Sequence, residues 1–292
     1  MEFKNICLVL LSCFFPGFIL AQTPVFEGRV MHGKEAVSFA TIGVKGKNIG
    51  TVANENGYFK LILPTDKLSK DNDTIIVSSI GFIEKKLSID EIGRTVGESQ
   101  KVFLEKDEFL LEEVKIKPGK VKVKRFGNSR VARLTSHTIF PRSQQVDDAL
   151  GRETGMVLKI DTNITLRDFN IYISGNQFKN VRFRLQFYDL SNDVPVLIPV
   201  GDDILFDIGP NSGWIKVDLK EHDISIRGKE KIGVTIQWLT SEKLDDNSRF
   251  LSISGFLKVF SLGGLYRPKS QALWQYSKWT LSLYLTADSF SR

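Results

Sequence analysis

Asn54-Glu55-Asn56-Gly57-Tyr58-Phe59 lies inside a run of short alternating segments from Phe26 to Phe82. Asn56-Gly57 is a specific hairpin signal, because both residues tolerate positive φ. Thr51 to Ala53 precedes the turn and Tyr58 to Leu63 follows it, so one short strand is folded back on the next. Working outward, Val25, Gly28 and Val30 begin a strand, and Ala36, Phe39, Ile42 and Val44 mark a second. Thr74 to Ser79, Phe82 to Leu87 and Lys101 to Leu104 complete the set. Strands this short, separated by Gly, Asn and Asp, predict a β-sandwich, since each turn must reverse the chain within a few residues.

The order of residues is informative in itself: Gly28 and Val30, Ala36, Val44 and Gly46, Gly50 and Thr51, Gly57 and Phe59, Pro64, then Ser78 with Gly81 and Phe82. In this order they resemble the carboxypeptidase regulatory-like domain, a small sandwich common in exported proteins of the Bacteroidetes. Asn54 stands where the family carries Asp, and Phe82 where it carries Tyr. Both exchanges keep the shape of turn and core, although Asn54 weakens any cation site at the turn. The resemblance implies a transthyretin- or immunoglobulin-like sandwich over residues 22–106.

The same domain precedes the plug and barrel of many TonB-dependent outer-membrane receptors, where a segment like Leu110-Leu111-Glu112-Glu113-Val114 often follows it. Only about 180 residues come after that segment here. They are too few for a barrel of more than about twenty strands and lack repeating lipid-facing strands of ~10 residues. The domain also accompanies the catalytic domain of metallocarboxypeptidases, whose zinc needs a His-x-x-Glu pair and a distant His. His32, His137 and His222 are the only histidines and lie far apart. The expectation is no peptidase activity, no metal and no cofactor.

Before the sandwich, Lys4 is followed by an apolar run from Ile6 to Leu20, broken only by Ser12, Pro16 and Gly17 and ending at Ala21. That is the layout of a secretory signal peptide over residues 1–21, and it is too short for a spanning helix of ~20 residues. A competing reading takes Leu10-Leu11-Ser12-Cys13 as a lipoprotein box, but the apolar run continues past Cys13 and the cut would fall within it. Both cysteines, Cys7 and Cys13, lie in the signal, so the exported chain is expected to have no thiol or disulfide. A chain of this length suits two domains of ~100–150 residues each.

The formal net charge of +6 is concentrated in one segment. Lys115 to Leu134 holds eight bases and no acid, leaving a slight negative balance elsewhere. Residues 107–140 therefore read as a basic linker. Within it Lys120-Val121-Lys122-Val123-Lys124 alternates, so an extended chain would put ammonium groups on one side and valines on the other. Lys120, Lys122, Lys124 and Arg125 are candidates for electrostatic contact with an anionic envelope polymer or lipid headgroup. The plainer reading is a solvated linker kept soluble by its charge.

From Met156 the alternation strengthens. Phe169, Ile171 and Ile173 alternate with polar neighbours, as do Val181 to Phe187 and Ile232 to Trp238. With Trp214 to Leu219, Phe250 to Ile253, Phe256 to Phe260 and Trp279 to Thr286, roughly eight strands are expected over 141–292. One face inward and one wet makes a jelly-roll-like antiparallel sandwich. The fold class is thus all-β, two sandwiches in series, with a single short helical candidate at Ser143 to Arg152. The second half resembles uncharacterised regions that follow regulatory-like domains in Bacteroidetes proteins, which implies no activity.

All four tryptophans fall in this half. Trp238 ends an apolar face and reads as core; Trp214 begins a strand and reads as a cap. Trp274, Tyr276 and Trp279 occur with Gln271, Gln275, Ser277 and Lys278. Aromatic faces beside amides and hydroxyls stack and hydrogen-bond sugars. With Tyr266 and Arg267 they form the candidate ligand surface, and packing at the sandwich edge is the alternative. Asp202-Asp203 and Asp245-Asp246 suit turns better than a glycosidase pair spaced across a cleft.

These features predict a non-catalytic binding module of the cell envelope, taking a glycan or protein through the second sandwich. The alternative is a structural accessory subunit of an outer-membrane complex, with the first domain offering a strand edge to its partner. An unrecognised hydrolase is the minor alternative. The expected location is the periplasm, the outer membrane or the cell surface, with peripheral membrane association and no nucleic acid.

Overall fold

The computed structural model describes residues 24–69, 72–93, 100–107, 121–139, 149–192, 194–258 and 263–290. The signal-like segment and both cysteines lie outside the described residues, as do Lys120 and residues 143–148 of the expected helix. Nearly all of the regular secondary structure in the described chain is β-strand.

The first unit is built from β1 (Val25–His32), β2 (Glu35–Ala36), β3 (Thr41–Val44), β4 (Gly50–Val52), β5 (Tyr58–Ile62), β6 (Thr74–Ser78), β7 (Lys85–Ser88), helix α1 (Ile89–Gly93) and β8 (Gln100–Phe103). One sheet runs β2-β1-β5, with β8 parallel to β1 on its other side; the second runs β4-β3-β6-β7. Between them Phe26, Val30, Ile42, Val44, Phe59, Leu61, Ile75 and Val77 form the core. Phe26 and Phe59 meet edge to face at 4.9 Å. The turn expected at Asn56-Gly57 forms, but not as a hairpin: β4 pairs with β3 and β5 with β1, so it carries the chain from one sheet to the other. The Asn54 side-chain oxygen accepts from the Asn56 and Tyr58 backbone N–H groups, both at 3.0 Å. Gly57 has φ 72°, and a Cβ there would lie 2.5 Å from the Val30 carbonyl, so only glycine closes this turn.

The second unit begins with β9 (Val121–Gly127), β10 (Ser136–Ile139), β11 (Glu153–Lys159), β12 (Asn163–Asn176), β13 (Phe178–Asp189), β14 (Val196–Leu197), β15 (Ile204–Ile208) and β16 (Gly213–Asp218). It continues with β17 (Ser225–Ile226), β18 (Lys231–Lys243), β19 (Leu251–Leu257), β20 (Gly264–Arg267), β21 (Gln275–Ser277), β22 (Trp279–Leu281) and β23 (Leu283–Phe290). One sheet has the path β10-β19-β12-β23-β9, with β16 and β17 also on β12. The other has the path β14-β13-β18-β11-β20-β21, with β15 on β13. Phe169, Ile171 and Ile173 of β12 face Val181, Phe183, Leu185 and Phe187 of β13 and Val234, Ile236 and Trp238 of β18 across the interior. The result is a jelly-roll-like sandwich of two sheets. The strand count exceeds the eight expected because several strands are only two or three residues long, below what alternation reveals.

Two sequence expectations are corrected. Residues 121–127 and 136–139, within the span read as a linker, are strands β9 and β10 of the second sandwich. Phe126 of β9 enters the core and outweighs the charge of its neighbours. The outer face of β11, β13 and β18, expected to be wet, is buried: Glu153, Arg184, Gln186, Thr235 and Gln237 are all at most 5% exposed. Arg267 and Trp274 of the second unit itself cover it at Glu153 and Tyr188, and Phe39 of the first unit covers it at Arg184 and Leu239.

That contact is a built junction. Phe39, Val52 and Leu239 form a small apolar cluster between the units. Gly46 and Ala272 form a parallel bridge, with the Gly46 N–H donating to the Gln271 carbonyl at 2.8 Å. Cβ atoms on Gly43 and Gly50 would lie 2.3 and 2.5 Å from the Ser270 carbonyl, so these two glycines permit the close approach of the second unit's backbone. Arg182 of β13 forms an ion pair with Glu55 in the first unit's turn.

Candidate ligand-binding surfaces

The segment around Trp274 sits at one end of a buried polar chain. Arg184 Nη2 donates to the Phe39 carbonyl at 2.9 Å and to Asp203 at 2.6 Å, while its Nη1 donates to Gln237 at 2.9 Å. Gln237 Nε2 donates to Glu153 at 3.1 Å, and Arg267 Nε donates to the same carboxylate at 2.7 Å. Tyr188 and Thr235 hydroxyls donate to the other Glu153 oxygen at 2.8 and 3.2 Å. Burying a carboxylate is costly unless it is paired and hydrogen-bonded, and Glu153, fully buried, has both. Burial, and then the Glu153 charge, push the Tyr188 hydroxyl well above its ordinary value. Burial opposes the Arg267 cation, yet Glu153 beside it holds the guanidinium above its usual range.

The structure divides the sequence-predicted aromatic set between two faces. Register places Arg267 opposite Glu153 and Leu265 opposite Tyr276, so Arg267 and Tyr276 share the outer face. Trp274 lies there too, with Arg267 over its ring at 4.6 Å and Tyr188 edge-on at 4.8 Å. Tyr276 is exposed. Tyr266 falls on the opposite face, its hydroxyl donating to Gln275 at 2.5 Å. Trp279 packs on the main core, against His137 at 5.8 Å.

A second aromatic group escapes the sequence reading. Tyr172 of β12, Trp214 of β16 and Tyr284 of β23 all point outward from the other sheet, because their neighbours Ile171, Ile173, Leu283 and Leu285 point into the core. Trp214 contacts Tyr172 at 5.4 Å and Tyr284 at 5.1 Å and remains 38% exposed. Arg125 of β9 covers Tyr284 at 5.3 Å. Asn170, Lys216 and Thr286 lie one cross-strand position away in the same outer row. Alternation identified each strand; only the pairing register of three strands brings the rings together.

The basic residues have distinct surroundings. Lys122 is exposed on β9, Lys124 pairs with Asp161 at 3.3 Å, and Arg125 joins the aromatic row. The adjacent acids are partly accounted for. Asp203 pairs with Arg184, and Asp245 accepts from the Asn247 N–H at 2.7 Å in a turn. His32 and Glu35 do have the His-x-x-Glu spacing, a pair the sequence reading passes over. They face each other across the β1–β2 hairpin, with His32 Nδ1 at 3.0 Å from the Leu104 carbonyl. Among the described residues no three His, Cys, Asp or Glu side chains gather where a metal ion would be held.

Comparison with known proteins bears on the first unit. Residues 26–116 match the model of the CarboxypepD_reg-like domain. The Asn54–Phe59 turn and the sandwich around it lie within the matched span. No curated protein matches the chain. Among solved structures, the cysteine protease and lectin-like domains of Cwp84, a surface layer associated protein of Clostridium difficile, are similar at 10% identity with a TM-score of 0.39. That match covers 92% of this chain and 59% of the other.

Proposed function

We propose that this chain is a non-catalytic, exported cell-envelope binding module that takes a glycan on the outer face of its second sandwich. The observation that carries the reading is the Trp214 row: an open indole between two tyrosines, flanked by Lys216, Thr286 and Arg125. Aromatic rings supply apolar faces for the C–H side of a sugar while nearby polar groups bond its hydroxyls. Trp214 suits this better than Trp274, whose ring is already covered by Arg267, or Trp279, which is packed on the core. The first unit serves as spacer and docking element, held rigidly by the junction at Phe39. The signal-like segment at residues 1–21 and the regulatory-like domain at 26–116 support the envelope location.

Native gels containing soluble polysaccharides test this reading. The chain from Gln22 is retarded by at least one polysaccharide, and Trp214→Ala migrates freely while keeping its circular dichroism. Equal retardation of both proteins would refute it.

A second reading, an accessory subunit of an outer-membrane complex, is favoured by β8. This strand pairs only with β1 among the described residues, and Phe103 on it is 46% exposed. An edge of this kind accepts an added strand. Copurification of one outer-membrane protein, lost on Phe103→Asp and retained by Trp214→Ala, would favour this reading over the first.

A further inference from the structure

On one side of the second sandwich, β9 faces the later half of β11 across a cleft of about 820 Å3. Its floor includes Phe126, Met156 and Leu158, which also belong to the main core. Its rim carries Arg125, Arg130, Lys159 and Lys258, all exposed. Among the described residues no acidic residue lines it and none of the four cations forms an ion pair.

We propose that this cleft binds a single-chain anionic amphiphile, with a phosphate or carboxylate head on the cationic rim and an alkyl chain on the apolar floor. Like charges gathered without counter-charges raise the local concentration of anions. Guanidinium groups such as those of Arg125 and Arg130 meet phosphate or carboxylate oxygens two at a time. An inorganic anion would use the rim and leave the floor wet; a neutral apolar molecule would use the floor and gain nothing from four cations. A molecule with both parts uses both. The volume falls within the roughly 300–1,000 Å3 typical of small-molecule sites. The inference is independent of the glycan reading, with which it shares only Arg125.

Isothermal titration calorimetry of the chain from Gln22 decides it with three probes: dodecyl phosphate below its micelle concentration, inorganic phosphate, and dodecyl maltoside. Dodecyl phosphate binds at least about tenfold tighter than either of the others. The double variant Arg130→Gln, Lys258→Gln, altered only at exposed side chains, loses at least about tenfold of that affinity with an unchanged melting curve. Equal binding of inorganic phosphate reduces the cleft to an ion site and overturns the proposal. Equal binding of dodecyl maltoside reduces it to an apolar groove and does the same. No binding of dodecyl phosphate, or binding indifferent to the double variant, also overturns it.

Discussion

Arg184 of the second sandwich, almost wholly buried, donates to the backbone carbonyl of Phe39 in the first at 2.9 Å. Phe39 itself has φ 53°, a left-handed conformation uncommon for a bulky residue, and its ring lies against Val52 and Leu239. A strained residue persists only where its surroundings over-determine it, and here these are the carbonyl's bond to Arg184 on one side and the apolar cluster on the other. The two units are therefore joined by a specific contact and not by a loose tether.

Replacing Arg184 with Leu leaves the Phe39 carbonyl and Asp203 without their donor in a buried setting. Breaking a buried pair of this kind costs about 3–5 kcal/mol, and Asp203, being partly exposed, puts the effect at the lower end. Urea denaturation checks this. An unchanged midpoint would show that the contact adds nothing to the junction.

Gly43→Ala attacks the junction from the other side. The new Cβ meets the Ser270 carbonyl at 2.3 Å, and backbone cannot yield as a flexible side chain can. The expected result is a cost of about 1–3 kcal/mol and a new site of limited proteolysis between the units, while the first unit keeps its fold. A proteolysis pattern identical to the unmutated chain would contradict the close approach.

Glu153→Gln tests the buried polar chain. It leaves the Arg267 cation buried without a counter-charge, at a cost of about 3 kcal/mol. Because Arg267 covers Trp274 at 4.6 Å, the tryptophan emission should also shift. A stability loss without a spectral change would separate Glu153 from the position of Arg267.

His137 predicts a pH dependence. Burial, and then the Arg152 charge, hold its imidazole below the ordinary value. The folded state thus binds fewer protons than the unfolded one between its lowered value and about 6.5. This contribution to stability is fully present above about pH 6.5 and is lost as pH falls toward the folded value. His137→Gln should flatten the slope of unfolding free energy between about pH 5 and 7, as measured by denaturant midpoints across that range.

Much of the fold was legible because period-two alternation is a local property. Phe169-Ile171-Ile173 and Val181 to Phe187 mark their strands without help from the rest of the chain, and Asn56-Gly57 marks its turn. What alternation cannot supply is the partner of each strand. Lys122 and Lys124 made β9 look like a solvated connector, while Phe126, one residue in a basic run, places it at the edge of the core. Arg184 looked like the wet face of a sheet because the Phe39 carbonyl that meets it lies 145 positions earlier in the chain. The Trp214 row was hidden for the same reason. Tyr172, Trp214 and Tyr284 are distant in sequence and meet only through the registers of β12 with β16 and β23.

The most direct test of the central claim is a glycan array probed with the chain from Gln22 beside its Trp214→Ala variant, both confirmed as folded by circular dichroism. The account predicts a defined set of bound glycans whose signals fall at least about tenfold, equivalent to about 1.4 kcal/mol, when the indole is removed. A blank array, or a binding pattern that Trp214→Ala leaves unchanged, would contradict it.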